Sequence, residues 1–167
     1  MLTALTLGPP AGRGPCDQGE DGDGCDVDDS SGLARFVAAQ DDGGTYDRAL
    51  RELGAGRKTT HWMWFVFPQI AGLGRSATAQ HFAVADLDEA RAYARHPVLG
   101  PRLRECASAL LDQPEPDAEA VLGPVDAAKL RSSMTLFAAA APDEPVFAEV
   151  LDRFFAGERD EATTTRL

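Results

Sequence analysis

The run Trp62-Met63-Trp64-Phe65-Val66-Phe67 constrains the fold more than any other stretch of the chain. Six apolar side chains in succession leave no polar face, so the segment calls for cover on every side. Pro68 ends the run, and Gly72-Leu73-Gly74 turns the chain before Ser76, an N-cap for the helix that follows. Over so short a length, periodicity does not separate a buried strand from a buried helix. The rest of the chain decides, because no other segment alternates with a period of two between hairpin turns. With no partner strand on offer, the run reads as a short central helix.

The flanking segments carry helical periodicity broken by Gly and Pro. Leu33, Phe36 and Val37 share one helical face that ends at Gly43-Gly44. Thr45 can cap a second helix, in which Tyr46, Ala49, Leu50 and Leu53 recur at i, i+3, i+4 and i+7 before Gly54 and Gly56 stop it. Asp86 and Glu89 have capping-box spacing and open a helix to about Arg95. Pro101 suits a first helical turn, followed by Leu103, Cys106, Ala107 and Leu110 on one face. Asp126 can cap a segment with Leu130, Met134 and Phe137 at steps of four and three. Asp143, with Pro145 just inside, opens the last long helix, whose stripe is Phe147, Val150, Leu151 and Phe154 and whose stop is Gly157. These segments predict an all-α, single compact domain of about seven or eight short helices over residues 32–167.

Residues 1–31 are of another kind. They hold seven acids against Arg13 alone, a net of −6 out of the whole chain's −11. With almost nothing apolar to bury, they read as a disordered acidic extension. Their Asp-rich run does not make an EF-hand: the register from Asp21 puts Cys25 at position 5, and that from Asp26 puts Ser31 where Gly is required. The remaining −5 disfavours non-specific binding to nucleic acid, which needs a basic face. Cys16, Cys25 and Cys106 form no CxxC pair and no Cys/His metal spacing, which fits a reducing compartment. The opening MLTALTLGPP lacks the basic start of a secretory signal, and no stretch approaches the roughly 20 apolar residues that span a bilayer. A cytoplasmic protein with no membrane partner, no metal and no cofactor is expected.

Five stretches carry a family resemblance. They are RFVAAQ at 35–40, YDRALRELGAGRK at 46–58, HWMWFVFPQIAGLG at 61–74, HPVLGPRL at 96–103 and KLRSSMTLF at 129–137. In this order they closely resemble the motifs of an uncharacterised, mainly bacterial family, domain of unknown function 1810. The resemblance runs from about Leu33 to near Leu167 and implies a helical fold; it implies no particular activity. One departure is visible: relatives often carry a basic residue followed by Ser where this chain has Thr59 and Thr60.

Polar residues embedded in apolar motifs need an account, because their burial costs free energy unless they are paired. Arg57, Lys58 and His61 precede the aromatic run, at the end of a helix where free N–H groups and the dipole favour an anion. Lys129, Arg131, Ser132 and Ser133 form a second group, with Lys129 and Ser133 on one helical face. Together with the Trp64 indole they make a candidate pocket for a small anionic molecule, phosphate-bearing or nucleotide-like. His61 is its natural general acid/base, imidazole being the side chain that exchanges protons near neutral pH. A second reading treats these residues as a buried polar network that stiffens a non-catalytic protein-interaction module, with the aromatic residues as plain core. No G-x-S-x-G, Walker A, G-x-G-x-x-G or H-E-x-x-H motif is present. A Ser133–Lys129 nucleophile pair is a weak signal, since that spacing arises by chance in many helices.

Overall fold

The structure is a computed structural model that describes residues 32–167. The acidic extension expected over residues 1–31, with Cys16 and Cys25, lies outside the described residues. Among them, ten α-helices follow in chain order: α1 Ala34–Asp41, α2 Thr45–Gly54, α3 Met63–Val66, α4 Ala77–His81, α5 Leu87–Arg95, α6 Leu99–Leu111, α7 Ala118–Leu122, α8 Pro124–Ala140, α9 Val146–Phe155 and α10 Glu161–Thr164. Six have eight residues or more; α3, α4, α7 and α10 are single turns of four or five. The domain is all-α. None of these helices is long and apolar enough to cross a membrane.

The long helix α8 is the hub, packed against α5, α7, α9 and α10. Its side chains from Ser132 through Phe137 are buried in unbroken succession, so that stretch is enclosed on all sides. The Leu130–Met134–Phe137 stripe accounts for only one of its faces. The aromatic run, expected at the centre, sits partly at the edge. It does form a short helix, α3, but only Trp62, Met63, Val66 and Phe67 are buried, while Trp64 and Phe65 are half-buried. Over four residues, helical geometry turns two consecutive side chains outward whatever their hydropathy.

Several local expectations hold to the residue. Ser76 accepts from Ala79 N–H at 3.1 Å, and Asp86 accepts from Glu89 N–H at 2.9 Å, each a cap worth about 1 kcal/mol. The Glu89 carboxylate reaches back to Ala85 N–H at 2.6 Å, one residue before the N-cap. Three starts differ. Thr45 is the first residue of α2 and its hydroxyl donates to Asp42 C=O, while Gly44 in the left-handed region is the N-cap. Helix α8 starts at Pro124, which places Asp126 in the first turn with its carboxylate committed elsewhere. The N-cap of α9 is Pro145, so Asp143 lies outside that helix.

Arg35 fastens the first helix down. It donates to His81 C=O at 2.9 Å and Ala83 C=O at 2.8 Å, and pairs with Glu89 at 3.0 Å. Nearby, Ile70 and Val84 form a parallel β-bridge, with Ala71 N–H donating to Val84 C=O at 2.8 Å. Buried Gln40 donates to Phe65 C=O at 2.8 Å and to the Tyr93 hydroxyl at 3.1 Å, and Tyr93 donates to Phe65 C=O at 3.0 Å. These bonds satisfy the exposed end of α3 and tie it to α1 and α5. The position of the aromatic segment is thus set by polar contacts as well as packing.

Candidate functional site

The segment that carries Lys58 leaves α2 through Gly56, whose φ of +67° favours glycine. Lys58 N–H then donates to Val121 C=O at 2.8 Å, which pins the segment to α7. Glu52, in the last turn of α2, gathers the rest. Its carboxylate accepts from Thr59 N–H at 2.8 Å, Thr59 hydroxyl at 2.7 Å, Thr60 N–H at 3.1 Å, Thr60 hydroxyl at 2.8 Å and Trp62 Nε1–H at 2.8 Å. Burial acts to raise the Glu52 pKa, but the hydrogen bonds from Thr59, Trp62 and Thr60 outweigh it and hold the group at about 2. Glu52 therefore fixes both the loop and the orientation of the first indole.

The two cationic groups expected from the sequence meet at one carboxylate. Lys58 Nζ lies 2.8 Å from Asp126 Oδ2, and Lys129 Nζ lies 2.7 Å from Asp126 Oδ1. Each ammonium also rests over an indole: Lys58 over Trp62 at 5.3 Å from the ring centroid, Lys129 over Trp64 at 4.5 Å. The three charged side chains are largely shielded, with 9% of Lys58, 17% of Asp126 and 19% of Lys129 exposed. Burial raises the Asp126 pKa, yet hydrogen bonds from Lys129 and Lys58 and their charges bring it below the ordinary aspartate value. Two cations share one anion, so the triad by itself carries one formal positive charge, with the ionised Glu52 carboxylate bonded to the Trp62 indole under Lys58. No other carboxylate among the described residues pairs with either ammonium. A charge so placed is costly unless a partner compensates it.

The other sequence candidates separate. His61 and Arg57 are exposed on the segment that carries Lys58, and their side chains make no hydrogen bond among the described residues. Arg131 and Ser132 face the C-terminal segment instead. Arg131 donates to Glu158 C=O at 3.1 Å and Arg159 C=O at 2.9 Å and pairs with Glu158. Ser132 donates to Asp160 at 3.0 Å, and Asp160 N–H donates to the Thr135 hydroxyl at 2.9 Å. Burial raises the Asp160 pKa, but the hydroxyl and N–H of Thr163, the hydroxyl of Ser132 and the charge of Arg131 bring it below the ordinary value. The KLRSSMTLF motif is thus divided between two faces of α8: Lys129 meets Trp64, while Arg131, Ser132 and Thr135 clamp the chain before α10. A groove of about 530 Å³ takes in Arg131, Asp160, Phe154 and Phe155 but none of Lys58, Trp64 or Lys129.

Ser133 is the exception to polar satisfaction. It is fully buried, one turn beyond Lys129, and its Oγ has no hydrogen-bond partner. A buried hydroxyl left unpaired costs about 1–3 kcal/mol. Ser133→Ala is expected to leave stability unchanged or raise it by up to about 1 kcal/mol in urea denaturation. A loss above 1 kcal/mol would show that the hydroxyl has a partner in solution.

Sequence reasoning missed Glu52 and did not join Asp126 to the two lysines. A signal for Glu52 existed: a carboxylate in the last turn of a helix opposes the dipole and needs partners from outside the helix. For Asp126 no such signal existed, because an acid in a first turn is already favourable and asks for nothing further.

The fold and its charged centre define a small all-helical domain with an ion triad laid across two indoles. The model of the family described as Protein of unknown function (DUF1810) matches residues 30–167, and the chain belongs to that family. The crystal structure of the conserved hypothetical protein Rv1873 from Mycobacterium tuberculosis is similar, at 44% identity and a TM-score of 0.80, over 83% of this chain and 98% of that one. No curated protein matches the chain significantly.

Proposed function

We propose that the domain binds a small anionic molecule where Lys58, Lys129 and Trp64 meet. The observation that carries this reading is the convergence of Lys58 and Lys129 on the single carboxylate of Asp126, between Glu52 on one side and α8 on the other. Arg57, exposed on the same loop, adds to the local positive potential that draws an anion in. His61 is the proposed acid/base for any reaction at the bound anion. Arg131 and Ser132 would take part only through the position they give α8. Ser133, fully buried one turn beyond Lys129, would take no direct part. The cytoplasmic placement expected from the sequence stays part of this proposal.

The interaction-module reading has less support. The large apolar side chains exposed among the described residues are Val125, at 69%, and Leu167, at 41%, too few for a broad docking patch.

A thermal-shift panel of phosphate, sugar phosphates, nucleotides and nucleotide-sugars on the full chain tests the proposal. A ligand at one hundred times its Kd stabilises by about 2.7 kcal/mol, a rise of roughly 5 °C or more for a chain of this size. Lys129→Ala is expected to abolish the rise, whereas His61→Ala keeps it. If no anion in the panel raises Tm, the proposal fails.

A further inference from the structure

We infer that the ligand of this centre is a compact oxyanion, a phosphate, sulfate or carboxylate group, and that Asp126 is its built-in competitor, holding the place between the two ammonium groups that the ligand takes. This rests on the anion-binding reading above and narrows it. The first argument is the triad itself. Asp126 presents two oxygens to two ammoniums, at 2.8 and 2.7 Å. An oxyanion offers the same pair of oxygens to the same pair of donors, and phosphate does so with more charge. The site is thus already shaped around an oxyanion, and the chain supplies one of its own.

The second argument concerns the indoles under the two ammonium groups. Trp62 is fully buried and offers no face to a ligand. Trp64 is half-buried, and the Lys129 ammonium stands 4.5 Å from its ring centroid. A base could reach that face only by displacing the cation that binds the phosphate. The indoles therefore hold the ammonium groups in place, and recognition falls to charge and hydrogen bonds. A base or sugar attached to the phosphate gains no contact from them.

The third argument is the balance of charge. With Asp126 in place the two lysines are half-neutralised, which weakens any external anion by competition at high effective concentration. Asp126→Asn keeps the side-chain shape and one carbonyl oxygen for a lysine, and it removes the competing charge. Affinity for inorganic phosphate then rises at least tenfold over the wild type. An Asp126 that served only to hold the fold would give the opposite result, a weaker or unchanged site in a less stable protein.

Both tryptophans of the chain lie under the triad, so their fluorescence reports occupancy directly. Inorganic phosphate, AMP and adenosine are titrated into the full chain, wild type and Asp126→Asn, with circular dichroism as the check on folding. The inference expects phosphate to bind Asp126→Asn at least tenfold tighter than wild type, AMP to bind no more than threefold tighter than phosphate, and adenosine not to bind. If wild type binds phosphate and Asp126→Asn binds it equally or less well, the competitor role is overturned while the anion site stands. AMP binding wild type tenfold or more tighter than phosphate overturns the compact-ligand assignment, and that comparison needs no variant. Should Asp126→Asn not fold, Asp126→Ser carries the same comparison. If neither phosphate nor AMP binds any folded form, the underlying anion-binding reading falls with it.

Discussion

Glu52→Gln is expected to lower the unfolding free energy by about 2–3 kcal/mol at neutral pH, because hydrogen bonds to a charged acceptor are each worth about 1.5–3 kcal/mol and several are weakened together. Glu52 accepts five hydrogen bonds, from Thr59, Thr60 and Trp62. Glutamine keeps one carbonyl oxygen and replaces the other with a donor, which opposes the donors already there. The same carboxylate makes stability depend on pH. Its pKa is about 2 in the folded chain against an ordinary 4.5, so the unfolded state takes up the proton first as pH falls. The stability it contributes is whole above about pH 4.5 and is lost as pH falls from there toward 2. With allowance for the solvent that reaches this loop, that share is roughly 1–2 kcal/mol. Urea denaturation of both forms at pH 7, 4.5 and 3 checks the sign. The gap between wild type and Glu52→Gln should narrow on acidification; parallel loss in the two would remove the Glu52 account.

Gly100→Ala is expected to lower stability by roughly 2–3 kcal/mol, the range of an overpacked core. A Cβ at position 100 would lie 2.2 Å from Ala94 C=O and 3.0 Å from its carbonyl carbon. Those atoms are backbone, so relief requires the end of α5 and the start of α6 to move apart. That junction is already tight: His96 Nδ1 accepts from Val98 N–H at 3.1 Å and Leu99 N–H at 3.2 Å, and Gly100 N–H donates to His96 C=O at 3.0 Å. Gly54→Ala is the matched control. No atom lies within 4 Å of a Cβ there, and the position closes α2. Alanine's better helix propensity should make that change neutral or stabilising by up to about 1 kcal/mol. Equal melting temperatures for the two variants would refute the close-approach account of Gly100.

The glycine of HPVLG and the histidine before it are thus explained by one joint between helices. The lysines show the opposite relation. Lys58 and Lys129 were both legible as polar residues out of place in apolar motifs, and the structure brings them together across 71 positions of chain. Arg131 and Ser132 were legible by the same rule, yet they serve the C-terminal segment through Glu158, Arg159 and Asp160. A polar residue in a buried segment announces that it needs a partner; its position in the sequence does not say which. Trp64 illustrates the limit from the apolar side. Its hydropathy called for burial, but the single turn of α3 points it outward, under Lys129.

The sequence by itself determined the all-helical class, the family, several helix boundaries and the fact that Lys58 and Lys129 needed an explanation. Those properties follow from local rules, the 3.6-residue period, caps and turn residues, which act over a few positions. Only the tertiary structure decided that α8 is the enclosed hub, that Glu52 holds the loop before the aromatic run, and that Asp126 joins the two lysines. Ion pairs and close backbone approaches depend on distances of a few ångströms between segments far apart in the chain, and periodicity carries no record of such distances.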